Sequence, residues 1–412
     1  MRIAFAIGGI PSLGHSGSTI ASWIIISELL AAGHDVTAVL LPAAYLLDDT
    51  AQRRFDQLEQ LGADVRVIDV KPPPAASRPR ARASFLRSVV RPHDEELFPS
   101  LRARAEVQAA LGDADAGLAF GIEAIAASAG ARVPMLAALS HPPGVARRVR
   151  ARYAPSERNL LGHASERSFL AYADRRTARL LRQFPSVAVF SRHHADWAAR
   201  HGAKAWYAHY PMPDLAGPNW RERRAAGKPN AKPRILMIGH LRGIGTISGF
   251  HLFVPSILPL LKEALGEDGF EVHVVGGQEP PEEFLEGLVH PAVRLRGQIT
   301  DPADEFFAAD VLLAPNPTVT GASARILSGL TFGNCIVAHT DSLVGIPELT
   351  DGDNSLLATS GPEHADAVLR GLRDAALRER VGDGARSLFE RAFDAPVAAR
   401  RLIAAVERLA ST

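Results

Sequence analysis

The sequence predicts an α/β protein with two doubly wound domains, each a parallel sheet covered by helices. The length of 412 residues exceeds what one hydrophobic core usually serves. Short runs rich in Val, Ile, Leu and Ala alternate with helical patterns, which is typical of strands buried on both faces of a parallel sheet. A Pro-rich, polar stretch at residues 211–233 separates two such series and has the composition of a linker.

The domain boundaries follow from this pattern. We predict a first domain at residues 1–210, the linker at 211–233, a second domain at 234–395 and a closing amphipathic helix at 396–412 that packs back on the first domain. In the first domain strands are expected at Arg2–Ile7, Asp35–Leu41, Asp64–Val70, Ala116–Phe120, Pro134–Leu139, Val187–Phe190 and Ala205–Tyr210. In the second domain they are expected at Arg234–Ile238, Glu271–Val275, Val293–Arg296, Val311–Ala314 and Ile336–His339.

The composition is that of a globular protein, with 47% hydrophobic and 22% charged residues. Cys335 is the single cysteine, so the chain has no internal disulfide, which fits a cytoplasmic location. The apolar run at residues 20–32 is too short to span a bilayer and contains Glu28. We therefore expect no targeting or transmembrane segment.

The charge is unevenly distributed, because residues 1–210 hold 26 Lys and Arg against 19 Asp and Glu. Such a basic surface attracts phosphates, acidic glycans or an anionic membrane. It indicates an anionic acceptor, or peripheral contact with the inner face of a membrane. Separately, we expect no nucleic-acid partner. A solvated, arginine-rich helix is the equally supported alternative. The excess concentrates at Arg147, Arg148, Arg150, Arg152, Arg175, Arg176, Arg179 and Arg182.

Ligands of doubly wound sheets bind beyond the carboxyl ends of the strands, so the loops that follow the strands are the candidate sites. The loop after the first strand contains Gly9, Gly14, His15 and Ser16. Its glycines would let the backbone approach an anion at a helix start, although an ordinary tight turn is the more favoured interpretation of this loop alone.

Two loops of the second domain also suit a diphosphate. The first places His240 and Arg242 among glycines, and a guanidinium can form two hydrogen bonds to phosphate oxygens. The second turns through Gly321 into a helix whose first turn holds small residues and Arg325. Its exposed amides and helix dipole favour an anion. Alone, the arginine of the first loop could equally be an ordinary surface residue.

Together these motifs resemble those of GT-B glycosyltransferases of the large retaining class called family four. The first domain is similar to the acceptor half of that family through RIAFAIGGIP and AAGHDV. The second domain is similar to the donor half through RILMIGHLR, FEVHVVGG, VRLRGQITDPADEFFAADVLLAPN, GASARILSGLTFGNCIVAHT, GIPELTDGDNSLLA and RSLFERAF, in that order. The resemblance implies a GT-B fold, with two Rossmann-like domains facing a cleft.

The resemblance also implies roles for individual residues. His141 would contact the donor sugar and is the single candidate for a catalytic group. The nucleotide sugar, of UDP, GDP or ADP type, would be a substrate, and no cofactor would be tightly bound. The donor would be bound by Gly9, Gly14, His15, Ser16, His240, Arg242, Gly276, Gly277, Gln298, Ile299, Thr320, Gly321, Ala322, Ser323, Arg325, Ser328 and Glu348.

The sequence departs from the family at the family's two glutamates, whose positions are occupied by Thr320 and Ser328. Glu348 is a remaining carboxylate nearby in sequence, and Arg325 could supply charge lost from the loop at His240. The two D-x-D strings, at residues 113–115 and 351–353, have turn composition and do not indicate a metal site.

These features predict a metal-independent glycosyltransferase acting on an unidentified glycan, lipid or small-molecule acceptor. Two alternatives remain at this stage. One is a nucleotide-sugar 2-epimerase, which would need carboxylates in the cleft. The other is a catalytically silent GT-B protein that binds a nucleotide or a glycan, or supports a partner enzyme, because a fold does not fix a function.

Overall fold

The computed structural model describes residues 1–13, 17–42, 50–68, 103–153, 160–226, 231–317 and 321–411. The chain divides into two compact units. The first comprises Met1–Arg148, Ser156–Met212 and Ala395–Thr412, and the second comprises Val149–Pro155 and Pro213–Asp394. Residues 213–233, expected as a linker, are thus counted with the second unit.

The strands of both units are short and nearly all buried. In the first unit they are β1 Arg2–Ile7, β2 Asp35–Leu40, β3 Asp64–Val67, β4 Ala116–Phe120, β5 Met135–Leu139, β6 Ser186–Val189 and β7 Ala205–Tyr207. In the second unit they are β8 Arg234–Ile238, β9 Glu271–Val275, β10 Val293–Gly297, β11 Val311–Ala314, β12 Ile336–His339 and β13 Leu356–Ala358.

Helices cover both sheets. From the start of the chain to residue 265 they are α1 Gly17–Ala31, α2 Ala51–Leu61, α3 Arg104–Leu111, α4 Gly121–Ser128, α5 Pro143–Tyr153, α6 Leu160–Leu181, α7 Arg192–Arg200, α8 Trp220–Ala225, α9 Ile244–Leu252 and α10 Leu258–Leu265. Beyond it they are α11 Glu282–Leu288, α12 Ala303–Ala308, α13 Ala324–Thr331, α14 Gly361–Arg373, α15 Ala375–Leu388 and α16 Ala395–Ala410.

Both sheets are entirely parallel among the described strands. The first has the order β3-β2-β1-β4-β5-β6-β7, and the second has the order β10-β9-β8-β11-β12-β13. In each, the chain first adds strands on one side of its first strand and then returns to add strands on the other side. That arrangement is the doubly wound fold, so the predicted fold class is confirmed.

The final helix completes the first unit. Helix α1 is apolar nearly all round, with Ile25, Ile26 and Leu29 fully buried. Helix α1 can be apolar on nearly all sides because α16 packs against it, as well as against β4 and β5. The Nε2 atom of His34 lies 3.2 Å from a carboxylate oxygen of Glu407 on α16.

The segment Ile244–Leu265 is continuous helix, with a π-helical turn at Phe253–Ile257 between α9 and α10. By length and composition alone its 22 residues could cross a membrane. Half of it is buried within the second unit, where Phe250, Phe253 and Leu261 belong to the hydrophobic core. Its apolar composition is thus explained by core packing.

Candidate functional site

The order of strands in the second sheet reverses between β8 and β11. These neighbours are paired at Ile235 with Val311 and at Leu236 with Leu312. The loops that follow them therefore emerge side by side at the carboxyl edge of the sheet, where doubly wound folds bind ligands. One loop leads into α9 and the other leads into α13.

Arg325 joins the two loops. Its Nη1 atom donates a 2.8 Å hydrogen bond to Oδ1 of Asn316, and its Nη2 atom donates a 3.0 Å bond to Oγ1 of Thr246. The side-chain amide of Asn316 in turn contacts the carbonyl of Gly245. A β-carbon at Gly239 would lie 2.9 Å from Nη2 of Arg325, so a residue other than glycine would clash with the guanidinium in its present position.

Two helix starts flank this guanidinium. Helix α9 begins after Gly243 and α13 begins after Ser323, and neither start has a hydrogen bond from a capping side chain. The first amides of a helix lack partners within the helix and carry partial positive charge. This edge of the sheet is therefore electropositive.

Arg325 itself has only neutral partners. Burial lowers the pKa of Arg325 to about 10, so the guanidinium is charged at neutral pH. Within the part of the chain that the structure describes, it makes no ion pair. A half-buried cation with only neutral partners beside two helix N-termini is stabilised when an anion joins it. The arrangement is suited to a bound phosphate or diphosphate.

The glycine turn before α13 has the form expected for close approach of a ligand. Gly321 has φ of 101°, a conformation that favours glycine. The loop containing Glu348 packs against it, since a β-carbon at Gly345 would lie 2.0 Å from the carbonyl oxygen of Gly321. Thr320, also predicted to contact the donor, lies outside the described residues.

The loops after β9 and β10 adjoin the same edge. A β-carbon at Gly276 would lie 1.9 Å from the carbonyl oxygen of Gly239, and one at Gly277 would lie 3.1 Å from Oε1 of Gln298. Gln278 has φ of 66° and is the non-glycine residue with positive φ in the described part of the chain. Such backbone conformations concentrate at functional sites.

Other predicted donor contacts are less closely joined to Arg325. Arg242 is exposed, and its Nε atom donates a 3.2 Å hydrogen bond to the carbonyl of Glu279. His240 is exposed, Ile299 is half-buried after Gln298, and Ser328 is half-buried on α13. Ala322 and Ser323 are half-buried at the α13 start.

Sequence reasoning missed Thr246 and Asn316. Both are partners of Arg325, Thr246 from 79 residues away and Asn316 from nine residues away, and neither a hydroxyl nor an amide is a distinctive signal by itself. The signal that could have found Asn316 is its position two residues after a buried strand, between Pro315 and Pro317.

The first unit carries polar groups at the corresponding edge, where β1 and β4 are paired at Ile7 with Phe120. A β-carbon at Gly8 would lie 2.9 Å from Cβ of Glu123, so the side chain of Glu123 lies across the end of β1. Gly9 has open space beside its α-carbon. The predicted contacts Gly14, His15 and Ser16 lie outside the described residues.

His141 follows β5 and belongs to a group of histidines. Its ring centroid is 6.4 Å from that of His194, which is in turn 5.3 Å from that of His193. Burial lowers the pKa of His141 to about 4. Burial, followed by the charges of neighbouring groups, lowers the pKa of His194 to about 3. Both imidazoles are neutral at pH 7, so His141 is suited to hydrogen bonding rather than to carrying charge. His194 was not predicted.

Several of the arginines at 147–182 already have partners. Arg147 stacks over Phe169 at 3.8 Å from its ring centroid, and Arg148 makes a 3.0 Å ion pair with Asp174. Because these arginines already contact protein groups, less of the positive charge predicted from the sequence is free to bind an anion. Among the described residues, no group of three or more His, Cys, Asp or Glu side chains is placed to hold a metal ion.

Solved structures share this architecture over their whole length. Sucrose-phosphate synthase from Thermosynechococcus elongatus superposes with a TM-score of 0.68 at 16% identity, covering 100% of this chain and 99% of that one. The Anabaena protein HepE in complex with UDP-glucose gives 0.65 at 16% identity, covering 100% of each chain. WaaG, a glycosyltransferase involved in lipopolysaccharide biosynthesis, gives 0.60 at 16% identity over 98% of this chain and 99% of that one.

The fold is therefore GT-B, as the sequence predicts. Residues 232–374, which include β8 to β13 and the Arg325 site, match the family model of the glycosyl transferases group 1. The resemblance seen in the sequence is thus confirmed for the second unit. No curated protein sequence matches the chain significantly.

Proposed function

We propose that this protein is a glycosyltransferase that transfers a sugar from a nucleotide-sugar donor to an acceptor hydroxyl. The observation that supports the proposal most is Arg325, a half-buried guanidinium with neutral partners between two helix starts that lack capping side chains. It lies within the segment that matches glycosyl transferases group 1. HepE, which has the same fold, is known in complex with UDP-glucose.

The proposed role of Arg325 is to hold the diphosphate of the donor. When the bond between the anomeric carbon and the diphosphate oxygen breaks, its electron pair and negative charge remain on the diphosphate. Arg325 and the amides at the starts of α9 and α13 would stabilise that charge, because donors fixed in advance act strongly in a site shielded from water. In this proposal the protein supplies the counter-charge and a divalent metal ion is not required.

Direct binding measurements test this role. We expect UDP, or another nucleoside diphosphate, to bind the full chain by titration calorimetry and to raise its melting temperature. Arg325→Met preserves much of the side-chain volume and removes the charge. It should weaken binding by roughly 1.5–3 kcal/mol, the scale of hydrogen bonds to a charged group. Arg200→Met, a change of an exposed arginine at the end of α7, is the matched control.

Transfer itself is tested by following donor consumption. A panel of UDP, GDP and ADP sugars, with added chelator in parallel samples, should identify one donor that is hydrolysed or transferred without metal. Nucleotide binding that is unchanged in Arg325→Met would reject the proposed diphosphate site.

One observation favours a second function. Ser328, at the position of a family glutamate, is half-buried on α13 and offers no charge to a donor. A silent GT-B protein that binds a nucleotide without using it is therefore the alternative. It predicts nucleoside diphosphate binding that depends on Arg325, with no consumption of any sugar donor in the panel.

A further inference from the structure

The first unit contains a groove that the donor site does not use. It lies between α1, α2 and the loop after β1, with a volume of about 680 Å³. The loop places it beside the carboxyl end of β1, at the edge where doubly wound folds bind ligands. Its described lining residues are Ser12, Leu13, Trp23, Thr50, Arg53, Arg54, Gln57, Gln60 and Leu61.

One wall of the groove is aromatic. Trp23 projects from α1 and is only half-buried, although most of that helix is covered. The adjacent Leu13 is 55% exposed. A flat indole face beside an apolar side chain is a surface on which the C–H face of a sugar ring can pack.

The opposite wall is formed by α2, which presents donors of hydrogen bonds. Arg53, Gln57 and Gln60 recur at helical spacing and are exposed, so they lie on one face. The arginine can bind an anionic group through two parallel hydrogen bonds, and the amides can donate to or accept from hydroxyls. The acidic residues Asp56 and Glu59 of α2 are not among the lining residues.

Ser12 also lines the groove. The hydroxyl oxygen of Ser12 is buried and has no hydrogen-bond partner in the described part of the chain, while the residue is 5% exposed. The backbone amide of Ser12 is satisfied by the carbonyl of Thr19 at 3.2 Å. Because water in the groove cannot reach this oxygen, a ligand in the groove cannot reach it either, and Ser12 forms part of the wall without contributing to binding.

We infer that this groove binds an acidic glycan, whose sugar ring packs on Trp23 and whose negatively charged group pairs with Arg53. The inference rests on the proposed transferase function and specifies its acceptor as a sugar that carries a carboxylate or a comparable anionic group. Gln57 and Gln60 bind ring hydroxyls. The groove provides both an apolar face and an exposed cation, and a neutral glycan would contact only the apolar face and the amides.

The test uses the full chain and two matched probes. One probe is a β-linked disaccharide ending in glucuronic acid, and the other is the same disaccharide ending in glucose. The chain has four tryptophans, so labelled indole groups give four N–H resonances, and the Trp23 signal is assigned by its loss in Trp23→Phe. Arg53→Gln removes the charge at an exposed position, and Arg200→Gln is the control.

We expect the acidic probe to shift the Trp23 resonance and the neutral probe to bind about tenfold more weakly, the effect of one charge-assisted hydrogen bond. Arg53→Gln should abolish that preference and Arg200→Gln should preserve it. Raised salt should weaken binding of the acidic probe. Equal binding of the two probes, no effect of Arg53→Gln, or no shift of Trp23 at millimolar probe would each overturn the inference.

The same samples separate this inference from the proposed function. UDP, GDP and ADP are each titrated into a separate aliquot after the disaccharide. Binding of UDP without binding of the acidic probe leaves the transferase proposal standing and rejects the acidic acceptor. Binding of the acidic probe without binding of any nucleoside diphosphate supports the glycan groove and rejects transfer.

Discussion

The imidazole rings of His339 and His364 stack inside the second unit, with centroids 5.6 Å apart and planes 20° from parallel. His339 ends β12, and His364 lies in the first turn of α14. Nδ1 of His364 donates a 2.7 Å hydrogen bond to the carbonyl of Ser360, while its Nε2 atom is buried without a partner in the described chain. Burial lowers the pKa of His364 to about 4 and also lowers the pKa of His339.

This pair predicts that the protein loses stability as the pH falls. The unfolded chain binds a proton at His364 near pH 6.5, whereas the folded chain does so only near pH 4. The stabilisation is complete above pH 6.5 and is lost as the pH falls towards 4, by up to about 3 kcal/mol for this group. Urea unfolding at several pH values measures it. His364→Gln should reduce the slope by the share of this one group, since other buried histidines also contribute, and the exposed His201→Gln should leave it unchanged.

A second prediction concerns the segment after the first unit. Buried Arg386 makes two hydrogen bonds of 2.7 Å to the two carboxylate oxygens of Asp214, tying residues 213–233 to α15. Asp214→Asn should lower the free energy of unfolding by about 1.5–3 kcal/mol, because it removes a carboxylate that accepts two charge-assisted hydrogen bonds and leaves Arg386 with the half-exposed Glu390, 2.7 Å away, as its ionic partner. The exposed pair Arg221–Asp383, at 3.0 Å, is the control, and Asp383→Asn should cost about 0–1 kcal/mol. Similar losses of stability in Asp214→Asn and Asp383→Asn would contradict the stabilising role given to the Arg386–Asp214 pair.

Arg242 provides a third prediction. It is the arginine of the loop after β8, so Arg242→Ala should weaken binding of a nucleoside diphosphate by roughly 1.5–3 kcal/mol. Calorimetry with UDP measures the effect. Arg373→Ala is a suitable control, since Arg373 is also exposed and also donates to a backbone carbonyl, that of Ala264 at 3.3 Å. An unchanged affinity would remove Arg242 from the site and leave Arg325 as its cation.

Larger side chains at Ala322 test whether the diphosphate approaches the turn before α13. Gly321 and Ala322 lie at the helix start, where amides would meet the diphosphate. Ala322→Leu should therefore abolish nucleoside diphosphate binding while the circular dichroism spectrum stays normal. Ala322→Ser adds a single oxygen atom and should retain binding. Normal binding in the leucine variant would show that the diphosphate does not approach this turn.

A substitution at Ser328 tests whether the donor pocket has been rebuilt around other residues or is an ordinary family-four donor site. Ser328 is half-buried on α13, so a carboxylate placed there without a partner should cost stability. We expect Ser328→Glu to lower the melting temperature and to give no gain in donor affinity, as a pocket rebuilt around other residues requires. Ser328→Gln, of similar size and neutral, separates charge from bulk. A gain in affinity with the glutamate would instead indicate an ordinary family-four donor site.

The sequence predicts the fold well because buried parallel strands have a clear composition. The apolar runs locate β1 and β8 to their last residue. β13 was not predicted, because its three residues, Leu356–Ala358, are too few to form a recognisable run. Its strand pairing with β12 is a long-range contact that composition does not encode.

The candidate site is predictable in part. The position of Arg325 at a helix start follows from the turn at Gly321, and an anion role was inferred from it. Its partner Thr246 is not inferable, since only folding brings two residues from separate loops to 3.0 Å. The side chain of Arg242 donates from its Nε atom to the carbonyl of Glu279. The local sequence does not determine which rotamer this side chain adopts, so that contact was not predictable either.

The packing of α16 against α1 has a consequence for the order of synthesis. During translation, α1 is synthesised early, whereas α16 is synthesised only after every strand of the second unit. Until then α1, including fully buried Ile25 and Ile26, has one apolar side uncovered. The amino-terminal half thus leaves the ribosome incomplete, and it becomes fully closed only after translation of the second sheet. Chaperones that bind nascent apolar helices would have α1 as a substrate throughout that interval.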